Sequence, residues 1–151
     1  MNVTNLKIKL IESGRTLVEG LTFSLKKGDK AVIIGEEGNG KSTLLKAIYD
    51  KSLVESYAAV EGSVKADEKI GYLPQEPHFD GTVREFFVLG MMFEPTPAEK
   101  AGVAADLGLG LGFFDSEQQV STLSGGERVK MQTAKLLLGR CGLLLLDEPS
   151  N

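Results

Sequence analysis

Cysteine and histidine are each present only once, as Cys141 and His78, in a chain of 151 residues. A single thiol can close no intramolecular disulfide and build no thiolate cluster, so Cys141 is expected to be a small buried hydrophobe. Long apolar runs are also missing. No apolar run, Gly142 to Leu146 included, approaches the roughly 20 residues a membrane helix requires. The N-terminus lacks a signal-peptide pattern, and a cytoplasmic chain is expected. Basic residues are outnumbered, with 17 Lys and Arg against 21 Asp and Glu, a net charge of −4 and a pI near 5.1. Phosphate-backbone contacts need clustered cations, so no direct DNA binding is expected of this segment. Low-complexity stretches and internal repeats are lacking too. With 42% hydrophobic and 25% charged residues, the composition is that of a globular protein rather than a disordered one. A chain of this length forms one domain, burying roughly two-thirds of its unfolded surface.

What is present alternates between strand and helix signals. Leu6, Ile8 and Leu10, then Leu17, Leu21, Phe23 and Leu25, have the period of two of an antiparallel hairpin broken at Ser13-Gly14. Ala31-Val32-Ile33-Ile34 is an unbroken apolar run of the kind found in strands buried on both faces. Helical spacing follows from Gly40 to Tyr49. A turn at Gly62 precedes a strand around Val64, and Ile70 to Leu73 reads as another strand. Three capping boxes, Thr82 to Glu85, Thr96 to Glu99 and Ser124 to Glu127, each announce a helix. The last should run to about Leu138 with Val129, Ala134, Leu137 and Leu138 near one face. Leu143 to Leu146 is a buried strand. Gly108, Gly110 and Gly112 imitate a dinucleotide fingerprint, but without a preceding strand they read as a loop.

Two segments carry chemistry. Gly35-Glu36-Glu37-Gly38-Asn39-Gly40-Lys41-Ser42 fits the phosphate-loop pattern and lies between an expected strand and an expected helix. Glycines let backbone N–H groups turn inward around phosphates, and the helix N-terminus adds positive potential. Lys41 supplies a point charge and the Ser42 hydroxyl a ligand for Mg²⁺. Glu36 and Glu37 should face solvent. The second segment ends an apolar run in Asp147-Glu148. Strand alternation gives the two acids different tasks: Asp147 at the metal, Glu148 as general base for an attacking water.

Leu123-Ser124-Gly125-Gly126-Glu127, taken with these two segments and Tyr72-Leu73-Pro74-Gln75, resembles the ATP-binding cassette (ABC) ATPases over essentially the whole chain. Four motifs stand in that family's order and spacing. The resemblance implies Mg-ATP bound by Gly35, Gly38, Asn39, Gly40, Lys41, Ser42 and Thr43. It places Gln75 near the metal with Ser42 and Asp147, and makes Glu148, Gln75 and Lys41 the catalytic group. Ser124, Gly125 and Gly126 are implied to bind the γ-phosphate of ATP held by a second cassette, in the same longer chain or a homodimer. Glu127, Pro149-Ser150-Asn151 and the run from Ile70 to Pro77 look most like ABC-F proteins, soluble tandem-cassette ATPases, many of which act on the ribosome.

The implied fold is α/β: a P-loop NTPase-type sheet, an antiparallel N-terminal β subdomain and a helical subdomain at about 78–135, within one cassette spanning 1–151. The implied function is ATP hydrolysis on head-to-tail pairing of cassettes, as an ABC-F-type ribosome-associated factor. The alternative is the motor subunit of an ABC transporter, docked on a membrane permease through the segment from Phe79 to Phe93. The chain departs from the family at Ile11-Glu12-Ser13-Gly14, where relatives carry an aromatic ring that stacks on adenine. It also stops before the family's D-loop and switch histidine. It is therefore expected to belong to a longer protein and to hydrolyse little alone. His78 stands too early to be the switch residue.

Overall fold

The computed structural model describes residues 1–75, 79–89, 91 and 93–148. His78 and the Pro149-Ser150-Asn151 ending lie outside them. Two compact units emerge, one from Met1–Tyr72 with Gly142–Asp147, the other from Leu73–Cys141 with the chain from Glu148.

The first unit is built on the expected hairpin. Strand β1 (Asn2–Leu10) pairs antiparallel with β2 (Thr16–Ser24) on one side and with β3 (Ala58–Lys65) on the other. Helix α1 (Lys41–Tyr49) buries Leu44, Leu45, Ala47 and Ile48, and these join Val3, Leu6, Ile8, Val54 and Leu145 in one core. Each such aliphatic side chain removed from water stabilises the unit by about 1.5–3 kcal/mol. Strands β4 (Ile70–Leu73) and β5 (Leu143–Leu146) form a separate two-stranded sheet.

Two expectations fail here. Ala31 to Ile34 forms no strand: Val32 is 82% and Ile34 91% exposed. An apolar run becomes a buried strand only when neighbours complete its backbone ladder, and among the described residues none pairs with it. β5 is also not buried on both faces. Leu145 and Asp147 are buried, whereas Leu144 and Leu146 are 39% and 45% exposed, so the four leucines alternate as a one-sided strand does.

The second unit is helical: α2 (Val83–Val88), α3 (Pro97–Leu107) and α4 (Gly125–Leu138), with short 3₁₀ turns at Leu111–Asp115 and Val120–Thr122. All three capping boxes form as their spacing demands. Phe86, Phe87, Phe114, Val120 and Met131 make its core, with edge-to-face ring pairs such as Phe87–Phe114 at 4.9 Å. The buried stripe of α4 is Met131, Ala134 and Leu138, while Leu137 is 42% exposed. Cys141 is half-buried rather than buried. Gly108 closes α3 in the left-handed conformation, which accounts for the glycine there without any dinucleotide role.

Glu99 ties α3 to the end of α4. Its carboxylate accepts from the Thr96 amide at 2.9 Å and from Arg140 at 2.7 Å, and these bonds, the amide first, hold its pKa down at about 2. An unfolded Glu titrates near 4.3. A depressed folded value means that the carboxylate's stabilisation is complete above about pH 4.3 and is lost as pH falls towards 2. The urea midpoint of Glu99→Gln is therefore expected to lie below that of the wild type at neutral pH, and the gap to close on acidification. A gap independent of pH would refute the assignment.

Candidate functional site

The loop from Gly35 enters α1 through two left-handed glycines, Gly38 at φ 75° and Gly40 at φ 84°. A Cβ on Gly40 would stand 2.8 Å from Leu17 Cδ1, so both conformation and space demand glycine there. α2, α3 and α4 each carry a side-chain N-cap, whereas α1 begins at Gly40 with none. An uncapped first turn presents N–H dipoles to an anion. Lys41 Nζ donates to the carbonyl oxygens of Gly35 and Glu36, each at 3.0 Å, so its ammonium lies across the loop. Glu36 and Glu37 are exposed.

Ser42 and Asp147 meet across 105 residues of chain: Ser42 Oγ donates to Asp147 Oδ1 at 3.0 Å. Alternation along β5 turns Asp147 inward, 3% exposed. Glu148 is exposed. It adopts φ 48°, a left-handed conformation rare outside glycine and found often at functional turns. Its Oε2 accepts from Gln75 Nε2 at 2.9 Å. Gln75 and Glu148 thus lie together, as do Ser42 and Asp147.

Mg²⁺ takes hard oxygen donors, keeps several waters, and is usually held by one or two protein groups plus phosphates. A hydroxyl and a carboxylate converging at 3.0 Å fit that requirement. Among the described residues no cluster of three or more His, Cys, Asp or Glu forms a self-sufficient metal cage.

Ser124 begins α4 in the helical unit. Its Oγ accepts from the Glu127 amide at 3.3 Å, and Glu127 Oε2 accepts from the Ser124 amide at 2.8 Å. The Ser124 hydroxyl also donates to Glu127 Oε2 at 2.7 Å, and this bond first, with that of the Ser124 amide second, lowers the Glu127 pKa. Gly125 and Gly126 are exposed, with nothing within 4 Å of where a Cβ would sit, so the helix start is open to a phosphate group.

Two residues near the loop were given no role by sequence reasoning. Arg15 Nη2 donates to Asn39 Oδ1 at 2.9 Å, bringing a cation from the β1–β2 turn onto the loop. Tyr72 Oη donates to Asp147 Oδ2 at 3.0 Å. Burial first, and the Asp147 charge second, push its phenol well above the usual tyrosine range. The quoted motif contained Tyr72, but only the pairing of β4 with β5 reveals what its hydroxyl meets.

A family model described as "ABC transporter" matches residues 18–151. The zinc import ATP-binding protein ZnuC of Ruegeria sp. (strain TM1040) is 36% identical over 141 residues, which cover 90% of this chain and 53% of that protein. The ribosome protection protein VmlR of Bacillus subtilis (strain 168) is 34% identical over 139 residues, 91% of this chain and 24% of that one. Among solved structures, one reported as a metal-chelate type ABC transporter in an inward-facing conformation aligns with a TM-score of 0.69 at 25% identity, covering 99% of this chain and 60% of that chain. The chain thus spans about half the length of the zinc import relative.

Proposed function

The chain belongs to the ABC transporter family, and from that premise we propose that it is the Mg-ATP-binding part of a motor subunit that hydrolyses ATP to drive a membrane permease. The observation that carries the nucleotide site is the 3.0 Å bond from Ser42 to Asp147. Loop amides from Gly35 to Thr43 and the Lys41 ammonium hold the polyphosphate. Ser42 and Asp147 are the groups for Mg²⁺, which when bound neutralises charge on the phosphates. Glu148 is the general base for water, steadied by Gln75. Ser124, Gly125 and Gly126 serve the nucleotide of a second cassette, so the working unit is a pair.

The zinc import relative, 36% identical and itself matched over 53% of its length against 24% of the ribosome protection protein's, favours the permease reading over the ribosomal one. Of the residues that looked ABC-F-like, Glu127 has a local task as the N3 residue of a capping box, which Glu or Gln performs equally. It therefore discriminates little. In the helical unit, Val88 and Leu89 are 69% and 57% exposed, beside a cavity of about 390 Å³ lined by Phe87, Met91, Phe93 and Phe114 among others. Exposed apolar surface at a concavity suits an inserted partner segment.

A ribosome-associated role is the second reading, supported by the 34% identity to a ribosome protection protein. The two separate in one fractionation of the full-length gene product. Sedimentation with membranes, lost when Val88 and Leu89 are replaced by Asp, is the expected result. Sedimentation with ribosomes and no membrane association would overturn it.

A further inference from the structure

We infer that Tyr72 is a positioning residue for the metal site, its hydroxyl holding one oxygen of Asp147 so that the other faces Ser42. This rests on the Mg-ATP reading above. Asp147 is 3% exposed, and a carboxylate so buried needs a hydrogen bond on each oxygen. Both bonds come from hydroxyls at the same length: Ser42 Oγ to Oδ1 at 3.0 Å and Tyr72 Oη to Oδ2 at 3.0 Å. No buried side-chain polar atom is left unpaired among the described residues.

The two hydroxyls are not equivalent. Ser42 leads α1 beside the phosphate loop, and its bond to Oδ1 is the one that metal ligation competes for. The bond from Tyr72 is on the other oxygen and lies clear of that competition. Tyr72 itself is anchored. Its ring packs on Tyr49 with centroids 5.5 Å apart at 30°, and Tyr49 lies seven residues after Ser42 on α1, two turns along the same face. The chain of contacts leaves α1 at Ser42, passes through Asp147 and Tyr72, and returns to α1 at Tyr49. Rotation of the Asp147 carboxyl is thereby resisted from β4 and α1 together. Outer donors of this kind orient a ligand, and their loss typically lowers metal affinity by about 10- to 100-fold.

Tyr72→Phe keeps the ring and deletes only the hydroxyl. With Mn²⁺ as the probe, followed by electron paramagnetic resonance in the presence of a non-hydrolysable ATP analogue, Mn²⁺ affinity is expected to fall about tenfold or more. Affinity for the analogue in EDTA should stay within about twofold, because the hydroxyl that the substitution deletes bonds Asp147 rather than a group of the phosphate loop. Tyr49→Ala removes the supporting ring but no group in contact with Asp147, and a smaller loss in the same direction is expected. Wild-type Mn²⁺ affinity in Tyr72→Phe, or a loss of thermal stability with no change in Mn²⁺ binding, overturns the inference. If the wild-type chain binds the analogue no better with Mn²⁺ than with EDTA, the Mg-ATP reading itself falls and takes the inference with it. That outcome is recognised without any variant.

Discussion

Lys41→Ala is expected to weaken ATP binding by at least about 100-fold, a loss near 3 kcal/mol. Two effects combine. The first is removal of a point charge from the place where a helix start and a glycine-turned loop converge, and charge-assisted bonds to phosphate are about twice as strong as neutral ones. The second is internal: Lys41 Nζ braces the loop by bonding the carbonyls of Gly35 and Glu36, both at 3.0 Å. Its loss frees a segment that has no ladder bonds and exposed side chains from Ala31 to Asn39. Isothermal titration with ATP and Mg²⁺, beside a thermal melt of the nucleotide-free chain, separates a binding defect from unfolding. Affinity within about threefold of the wild type in a folded variant would show that the polyphosphate does not lie in this loop.

How much of this was readable from the chain alone depends on the range of the interaction. The capping boxes at Thr82, Thr96 and Ser124 formed as expected because donor and acceptor sit within one helical turn, where spacing is geometry. The opposite orientations of Asp147 and Glu148 were legible because side chains alternate along a strand; one is 3% exposed and its neighbour is open to solvent. Ala31 to Ile34 misled because its burial depends on what lies beside it, and hydrophobicity alone does not supply a neighbour. Leu137 misled for a smaller reason: a helical stripe of Met131, Ala134 and Leu138 already fills the core contact, leaving the adjacent leucine outside. The bond from Tyr72 to Asp147 spans 75 residues and depends on β4 lying beside β5, a tertiary fact with no local signature. Partner choice was the least legible. Glu127, one of the residues that leaned towards ABC-F, is occupied by a local cap.

Glu148→Gln is the sharpest test of the chemistry, because it changes one atom and removes one capacity. Gln has nearly the same shape, and its amide oxygen can still accept the bond that Gln75 Nε2 now gives to Glu148 Oε2 at 2.9 Å. The turn at φ 48° is set by the backbone and tolerates Gln no worse than Glu. What disappears is a basic oxygen able to take a proton from water. General-base catalysis is worth about 10²- to 10⁴-fold, so ATP turnover by the protein carrying this chain is expected to fall by that factor while its affinity for Mg-ATP stays within about twofold. If hydrolysis releases the paired complex proposed above, the same variant should accumulate as an ATP-dependent dimer on size-exclusion chromatography, with ADP unable to replace ATP. Phosphate release at the wild-type rate, with binding intact, would remove Glu148 from the reaction and leave water activation to another group. A parallel fall in binding and turnover would instead mean that its contact with Gln75 is structural.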